Sequence, residues 1–223
     1  MADVTDKWRS ERLAAALYDA GVERERVARV AGLAIWGTDT RRLFGEIARL
    51  AETPAGSSIL DVPCGGGLAF RGLRPGQDVR YVAADISPYM LQRARGQARR
   101  RGVEDQIELV EADITALELP DASFDLCLTY NGLHCLPDPR AALAELTRVL
   151  KPGGTLRGNS CVTGHGRRKD ALIAIYRRAR VFGNTPQAGE IEAWLLELGL
   201  EPVTVERSGS IEFFQARLPT RPA

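Results

Sequence analysis

The sequence has few of the side chains that bind transition metals or build disulfide frameworks. Its 223 residues include only two histidines and four cysteines, and no two cysteines form a C-x-x-C pair. A zinc centre therefore cannot be assembled at the usual ligand spacing, and no metal is expected. The thiols are expected to be reduced and mostly buried. They are Cys64, Cys127, Cys135 and Cys161.

The sequence also lacks an excess of charge of either sign and any long apolar run. Thirty Lys and Arg residues face 29 Asp and Glu residues, so no overall field would attract nucleic acid or an anionic membrane. The first residues, MADVTDKWRS, lack the basic start and apolar stretch of a signal peptide. We therefore expect a cytoplasmic protein with no membrane insertion and no nucleic-acid partner. A homodimer is left open.

The apolar pattern divides the chain into two parts. Residues 1–56 repeat apolar side chains at helical spacing, as in Leu13 and Leu17, then Val27 and Val30, and they predict an N-terminal helical cap. Residues 57–223 alternate short apolar runs with helical patterns, which predicts an α/β fold with a Rossmann-like, doubly wound, mostly parallel sheet. A helix is expected to run from Thr185–Pro186 to Gly199. The final two strands should form an antiparallel hairpin around Ser208-Gly209.

The stretch ILDVPCGGG places a glycine-rich turn after the first predicted strand. Ligands of doubly wound sheets lie at such turns, and an acidic residue about 20 positions further on accepts hydrogen bonds from ribose hydroxyls. Asp85 ends the next strand, 18 residues after Gly67. Phe70 breaks the dinucleotide pattern, and Pro63 has no N–H to offer a phosphate. A non-phosphorylated nucleoside is therefore predicted.

Five segments in order, ILDVPCGGG, VAADISPYML, VEADITALELPDASFDLCL, YNGLHCLPDP and RVLKPGG, resemble the motifs of class I S-adenosylmethionine-dependent methyltransferases. They look most like the branch that includes the ubiquinone and menaquinone biosynthesis enzymes. The resemblance covers residues 57–161 strongly and the two ends more loosely. It implies S-adenosyl-L-methionine as cofactor and methyl transfer to carbon or oxygen of a small organic acceptor.

The resemblance also implies which residues bind the cofactor. Asp61 matches the acid of the first motif, and Pro63 stands where the family has its first glycine. Gly65 and Gly67 match the glycines that pack against the methionine part, and Asp85 matches the ribose-binding acid. The implied cofactor-binding residues are Asp61, Pro63, Cys64, Gly65, Gly67, Asp85, Ile86, Met90, Asp113, Ile114 and Asn131. Simpler interpretations remain for Asp85 as a helix cap and for Asn131 as part of a tight turn.

Two residues near the end of the fourth strand, Tyr130 and His134, are candidates for catalysis. A histidine there could act as a general base, because its ordinary pKa lies near neutrality, or it could only line the pocket. Tyr18 and Trp36 of the helical cap are candidates for contact with the acceptor, since aromatic side chains bury large area and attract a cationic sulfonium. For Phe44, core packing is the favoured interpretation.

Three other functions are compatible with parts of the pattern. A nicotinamide dehydrogenase is disfavoured by Phe70, and a non-catalytic S-adenosylmethionine-binding module would keep the same glycines and Asp85. An RNA methyltransferase could use the arginine-rich segments, but no aromatic residues are interleaved with them. The segment N-G-L-H after the fourth strand also differs from the [D/N]-P-P-[Y/F] motif of enzymes that methylate exocyclic nitrogens.

Overall fold

The computed structural model describes residues 25–220, which form one seven-stranded sheet covered by helices on both faces. The strand order is β3-β2-β1-β4-β5-β7-β6, with β7 antiparallel to both neighbours and the other pairs parallel. The strands are β1 (Ser57–Asp61), β2 (Val79–Asp85), β3 (Ile107–Glu111), β4 (Phe124–Tyr130), β5 (Leu150–Cys161), β6 (Val203–Ser208) and β7 (Ile211–Arg217). The predicted mostly parallel sheet with a final hairpin is confirmed.

Six α-helices accompany the sheet within the described residues. They are α1 (Glu25–Ala31), α2 (Arg41–Ala48), α3 (Pro88–Arg101), α4 (Pro139–Val149), α5 (Arg167–Arg178) and α6 (Glu190–Glu197). A π-helical turn, Gly32–Trp36, continues α1, and short 3₁₀ turns cover Arg49–Glu52, Leu68–Gly72, Glu104–Gln106 and Leu133–Cys135. In the region from residue 25 to residue 220, no helix is both long enough and apolar enough to cross a bilayer.

Each face of the sheet has its own apolar core. One core joins the sheet to α2 and α3 through Leu43, Ile47 and Ala94. The other joins it to α4 and α6 through Leu146 and Leu195. Because both faces are covered, the strands carry consecutive buried apolar residues, as in Val82-Ala83-Ala84 of β2, rather than a strict alternation.

The strand order reverses between β1 and β4, which are neighbours although β2 and β3 lie between them in the sequence. At such a switch point the connections leave in opposite directions and open a crevice beyond the carboxyl ends of the strands. The glycine turn follows β1, and the Asn131-Gly132 turn follows β4, so both turns border this crevice.

Two local predictions differ from the structure. The last helix begins at Glu190 rather than at Thr185–Pro186, because the backbone of Thr163 pairs with Pro186 and Ala188. The Val27 and Val30 side chains are exposed, whereas the smaller Ala28 is the buried residue of α1.

Gly158 in β5 provides a test of the close packing between β4, β5 and β7. A Cβ at this position would press on the Thr129 carbonyl oxygen and lie 2.6 Å from the Phe214 ring. We expect Gly158→Ala to lower the free energy of unfolding by about 1–3 kcal/mol. Gly45→Ala in α2, where no atom lies within 4 Å of the new Cβ, should raise it by up to about 1 kcal/mol. Urea unfolding measures both, and equal effects would contradict the packing account.

Candidate functional site

A crevice with an empty volume of about 1050 Å³ lies beyond the carboxyl ends of the strands, and we call it the strand-end crevice. It collects residues from the turns after β1, β2, β3 and β4, which the topology brings to one edge of the sheet. Of the predicted residues, those that line it are Pro63, Cys64, Gly65, Asp85, Ile86, Met90, Asp113, Ile114, Tyr130 and Asn131.

Asp85 ties the glycine turn to the end of β2. Its Oδ2 accepts a hydrogen bond from the Gly65 N–H at 2.9 Å, and its Oδ1 accepts one from the Ser87 N–H at 2.9 Å. The cap of α3 is Ser87, whose Oγ accepts from the Met90 N–H, so the helix-cap interpretation of Asp85 does not hold. The carboxylate is thus fixed in the wall of the crevice, and a carboxylate is an acceptor for hydroxyl donors.

The opposite part of the crevice is suited to a flat ring. Ile86 and Met90 follow β2, and Ile114 follows β3. Asp113 is held beside them, because its Oδ1 accepts hydrogen bonds from the Thr115 N–H at 2.8 Å and from the Thr115 Oγ1 at 2.7 Å. Apolar side chains next to a fixed carboxylate match a nucleoside base with a polar edge.

Two predicted cofactor-binding residues do not line the crevice. Asp61 is buried, its Oδ2 accepts the Tyr81 hydroxyl at 2.8 Å, and burial raises its pKa to about 7. Gly67 has a φ of 84°, and a Cβ there would run into the Phe70 ring. Gly67 therefore serves the backbone geometry of the turn, while Gly66, which the pattern analysis did not select, is the second glycine of the crevice wall.

The turns after β1 and β4 are in contact through Pro63 and Gly132. A Cβ on Gly132 would overlap Cδ of Pro63, so only glycine allows this approach. The proline that replaces the family's first glycine is thus accommodated by a glycine on the neighbouring turn. The pairing of these two positions holds both sides of the crevice together.

Asn131 follows β4 with a φ of 56° and is held there by Asn159 of β5. The Asn131 N–H donates to Asn159 Oδ1 at 2.8 Å, and Asn159 Nδ2 donates to Asn131 Oδ1 at 3.0 Å. Asn131 lines both the strand-end crevice and a second cavity described next. It therefore marks the point where the two spaces meet.

The second cavity, with an empty volume of about 1160 Å³, lies between the sheet, α1, α2 and α5, and we call it the aromatic pocket. Its wall is largely apolar, with Asn131, His134 and Asn159 among its few polar groups. The aromatic side chains that line it are Trp36, Phe44, Tyr176, Phe182 and Phe213. Phe44 is half-buried and is among the residues that line this cavity.

Trp36 lies where the π-helical turn ends, in a cluster with two side chains from beyond α4. Its ring centroid is 5.8 Å from that of Phe182 and 5.8 Å from that of Tyr176. The Trp36 carbonyl accepts a hydrogen bond from the Ser210 N–H at 2.9 Å, which attaches this turn to the β6–β7 hairpin. Tyr18, the other predicted acceptor contact, lies outside the described residues.

His134 is buried with its ring edge against Phe182, at a centroid distance of 4.5 Å. Nδ1 accepts a hydrogen bond from the Cys161 N–H at 3.1 Å, so the proton of the neutral ring belongs on Nε2. Burial lowers the pKa of His134 to about 3. With its lone pair engaged and its basicity reduced, His134 is suited to donating a hydrogen bond from Nε2 and not to acting as a general base.

Tyr130, the other predicted catalytic residue, lines the strand-end crevice with its ring. Burial raises the pKa of its hydroxyl, with a further contribution from Glu46, so the phenolate is disfavoured. The Tyr130 Oη is buried and has no hydrogen-bond partner among residues 25–220. The Tyr130 hydroxyl can therefore donate a hydrogen bond, but its raised pKa makes it unsuited to act as a base.

Several residues of these two cavities were not selected from the sequence. In the crevice, Ser87 and Thr115 are such residues, and both are recognisable as partners of aspartates two positions before them. In the aromatic pocket, Asn159 could have been noticed as a polar residue inside an otherwise buried strand. Tyr176, Phe182 and Phe213 carry no local signal, because they reach the pocket only through the fold.

Comparison with known proteins agrees with this geometry. Residues 60–157 match the methyltransferase domain family. The 27-O-demethylrifamycin SV methyltransferase of Amycolatopsis mediterranei is 32% identical over 171 residues, covering 75% of this chain and 62% of that protein. The ubiquinone/menaquinone biosynthesis C-methyltransferase UbiE of Hahella chejuensis is 43% identical over 104 residues, covering 46% of this chain and 42% of that protein.

Residues 60–157 therefore match a methyltransferase domain, and the relatives named above support a class I S-adenosylmethionine-dependent methyltransferase of the UbiE-like branch. The predicted family and cofactor are thereby confirmed. Phosphoethanolamine N-methyltransferase 2 of Haemonchus contortus, solved with S-adenosyl-L-methionine, superimposes with a TM-score of 0.77 at 15% identity, over 99% of this chain and 61% of that one. This likeness confirms the Rossmann-like fold. The chain spans less than two thirds of the length of the curated relatives named above.

The residues of the strand-end crevice fit the nucleoside part of S-adenosylmethionine. Asp85 presents a fixed carboxylate for ribose hydroxyls, and Ile86, Met90 and Ile114 offer apolar surface for the adenine. A Cβ on Gly65 would lie 3.6 Å from the Met90 side chain, so the glycine leaves space in the crevice that a larger residue would fill. The carboxylate of the crevice therefore has a counterpart in the ribose of the cofactor, and the apolar surface has a counterpart in the adenine.

The lowered pKa of His134 has a consequence for stability that can be measured. Below its ordinary pKa of about 6.5, the unfolded chain binds a proton that folded His134 does not bind until about pH 3. The neutral state of His134 therefore lowers no stability above pH 6.5. Below that pH the free energy of unfolding decreases as the pH falls, by up to about 1.4 kcal/mol per pH unit. We expect His134→Gln to remove this loss between pH 6 and pH 4 in urea unfolding.

The control is His165→Gln, which replaces a histidine that is only partly buried. It should change the pH dependence of the unfolding free energy less than His134→Gln does. The raised pKa of Asp61 acts in the opposite direction between about pH 4 and pH 7, but it is common to all three proteins and cancels in the comparison. Parallel curves for wild type and His134→Gln would contradict a neutral, buried His134.

Proposed function

We propose that this protein transfers the methyl group of S-adenosylmethionine to carbon or oxygen of a small, flat, largely apolar acceptor. The observation that carries this proposal is that the strand-end crevice and the aromatic pocket meet at Asn131. A cofactor in the first and an acceptor in the second would have their reactive ends next to each other. The relatives support both kinds of transfer, since one is named for O-methylation and one for C-methylation.

The helices before β1 are proposed to cover the acceptor and help to select it. Trp36 and Phe44 come from residues 25–56 and line the aromatic pocket together with Phe182 and Phe213. A wall rich in aromatic side chains favours a flat ring and excludes water from it. A pocket enclosed in this way accommodates a small molecule better than a nucleic acid.

The residues would promote transfer mainly by alignment and by exclusion of water. Bound S-adenosylmethionine supplies a methyl group that its positive sulfonium already activates for displacement. The fixed Asn131 turn would position the acceptor atom in line with that group, which is the largest contribution such a site can make. The Nε2–H of His134 would donate to an acceptor oxygen and so favour binding of a phenol or enol as its anion, which has already released its proton to solvent before it enters the pocket.

The first test concerns the ribose contact of Asp85. Asp85→Asn keeps an oxygen for one backbone N–H but weakens acceptance from two hydroxyls. We expect it to reduce the affinity for S-adenosylhomocysteine by about 1.5–3 kcal/mol in calorimetry, because a charged acceptor is lost.

Asp125→Asn is a matched control at the other end of the sheet. Asp125 also accepts a backbone hydrogen bond, from Ser58 at 2.8 Å, and it pairs with Lys151. This variant should bind S-adenosylhomocysteine like the wild type. Equal affinity of the Asp85→Asn variant and the wild type would remove Asp85 from the cofactor site.

The second test concerns the acceptor. A set of phenols, quinols and enols is incubated with S-adenosylmethionine, and release of S-adenosylhomocysteine is followed by mass spectrometry. With the best acceptor, Trp36→Ala should raise the KM about tenfold or more, because a large apolar contact is lost, while S-adenosylhomocysteine affinity stays unchanged. A protein that binds the cofactor but methylates nothing in the set would instead support a non-catalytic binding module.

Trp194→Ala removes a tryptophan of the same size that packs on the other face of the sheet. It should lower stability without changing the KM for the acceptor. If both tryptophan variants change the KM equally, the effect of Trp36 is structural and the proposed cover is refuted.

A further inference from the structure

A third cavity lies on the sheet face beneath α2, and we call it the arginine pocket. Arg42 and Glu46 of α2 line it together with Arg49 of the 3₁₀ turn that follows, and Tyr130 and Arg157 line it from the sheet. It shares Tyr130 with the strand-end crevice and Phe213 with the aromatic pocket, so it adjoins both. Its empty volume is about 610 Å³, and its wall is mostly polar, in contrast to the aromatic pocket.

The spacing of residues on α2 explains why charged side chains face inward here. Leu43 and Ile47 pack into the core, and the row formed by Arg42, Glu46 and Arg49 lies beside them at intervals of four and three residues. This row covers the part of the sheet formed by β5, β7 and β6, where Arg157, Gln215 and Glu206 are the facing residues. The cavity is therefore polar on both walls.

Three buried polar atoms in this cavity have no hydrogen-bond partner within residues 25–220. They are Nε of Arg42, Nε of Arg157 and Oη of Tyr130. Buried polar groups are nearly always paired, and leaving one unpaired costs stability. These two N–H donors and one hydroxyl belong to side chains that line one cavity, and a ligand with acceptor atoms would complete their hydrogen bonds.

The charges of the pocket point to an anion. Three arginines face two glutamates, Glu46 and Glu206, so one positive charge is in excess. Arg42 is paired with Glu206 at 2.7 Å, and Arg49 with Glu46 at 3.4 Å. Arg157 has no carboxylate within 4 Å in the described part of the chain, and burial together with Arg49 lowers its pKa. An unpaired, half-buried guanidinium is costly unless an anion joins it.

We propose that the arginine pocket is a binding site for an oxyanion, held by Arg157, Arg42 and the Tyr130 hydroxyl. The planar guanidinium matches the two oxygens of a carboxylate or a phosphate ester. The anion can be a free ion or the acidic group of the methyl acceptor, whose apolar body would then extend past Phe213 into the aromatic pocket. Only the second source rests on the proposed methyl transfer.

Binding is tested on the full chain with inorganic phosphate and with benzoate, followed by ¹H–¹⁵N NMR shifts of Gly158 and Gln215. We expect both probes to shift these amides, and Arg157→Gln to raise the Kd about tenfold, because a charge-assisted hydrogen bond is lost. Tyr130→Phe should raise it several-fold. Because the Tyr130 hydroxyl has no partner in the described structure, this second variant should fold normally.

The matched control is Arg80→Gln, which removes an exposed arginine of β2 whose partner, Glu108, is also exposed. It should leave the Kd of both probes unchanged. No shifts at tens of millimolar of either probe would overturn the proposal. An equal loss of affinity in Arg80→Gln and Arg157→Gln would also overturn it, because the binding would then be general charge attraction.

A third measurement separates the two sources. For an aromatic acceptor that carries a carboxylate, Arg157→Gln should raise the KM, but for its methyl ester the KM should not change. If the KM for both acceptors is unaffected while phosphate binding is weakened, the ligand is a free anion. The NMR titrations require no turnover, so failure of the methyl-transfer proposal would not affect their outcome.

Discussion

The reciprocal pair of hydrogen bonds between Asn131 and Asn159 is the constraint on which the site depends. It fixes a non-glycine residue at a φ of 56° directly after β4, a conformation that costs energy without such support. Because Asn159 is buried within β5, the turn is anchored to the centre of the sheet. This turn also sets the close approach of Gly132 to Pro63, and this approach determines the width of the strand-end crevice. Loss of either side-chain amide would remove the support of the Asn131 turn, which lines both the strand-end crevice and the aromatic pocket.

Three neighbouring cavities differ sharply in chemistry, and the sheet explains how they can adjoin. The strand-end crevice lies beyond the strands, where backbone N–H groups and aspartates are available. The aromatic and arginine pockets lie over one face, where the helices that precede β1 contribute either ring or charged side chains. Tyr130, Asn131 and Phe213 are the shared boundaries. An acceptor with an apolar ring and an acidic group could place the ring in the aromatic pocket and the acidic group in the arginine pocket.

The lining of the strand-end crevice could be predicted from the sequence because it is built from local segments. The glycine turn and Asp113 follow a strand and Asp85 ends one, and parallel strands bring their carboxyl ends to one edge whatever the details of packing. Asp61 and Gly67 show the limit of this reasoning. Both belong to the first motif, but the buried Asp61 accepts a hydrogen bond from Tyr81, and Gly67 packs against the ring of Phe70. The motif identifies the turn, and only the fold decides which side chains of the turn face outward.

The acceptor side could not be predicted in this way, since its residues come from α1 to β7 and share no spacing. His134 is instructive, because the sequence gives only a titratable ring near the reaction. Its role follows from the Cys161 N–H, which occupies Nδ1, and from burial, which lowers the pKa to about 3. Both facts depend on β5 lying beside β4. The unpaired donors of Arg157 and Tyr130 arise from the same strands. A protein that keeps unpaired polar atoms in its interior gives up stability there, and such atoms are best explained where a ligand completes their hydrogen bonds.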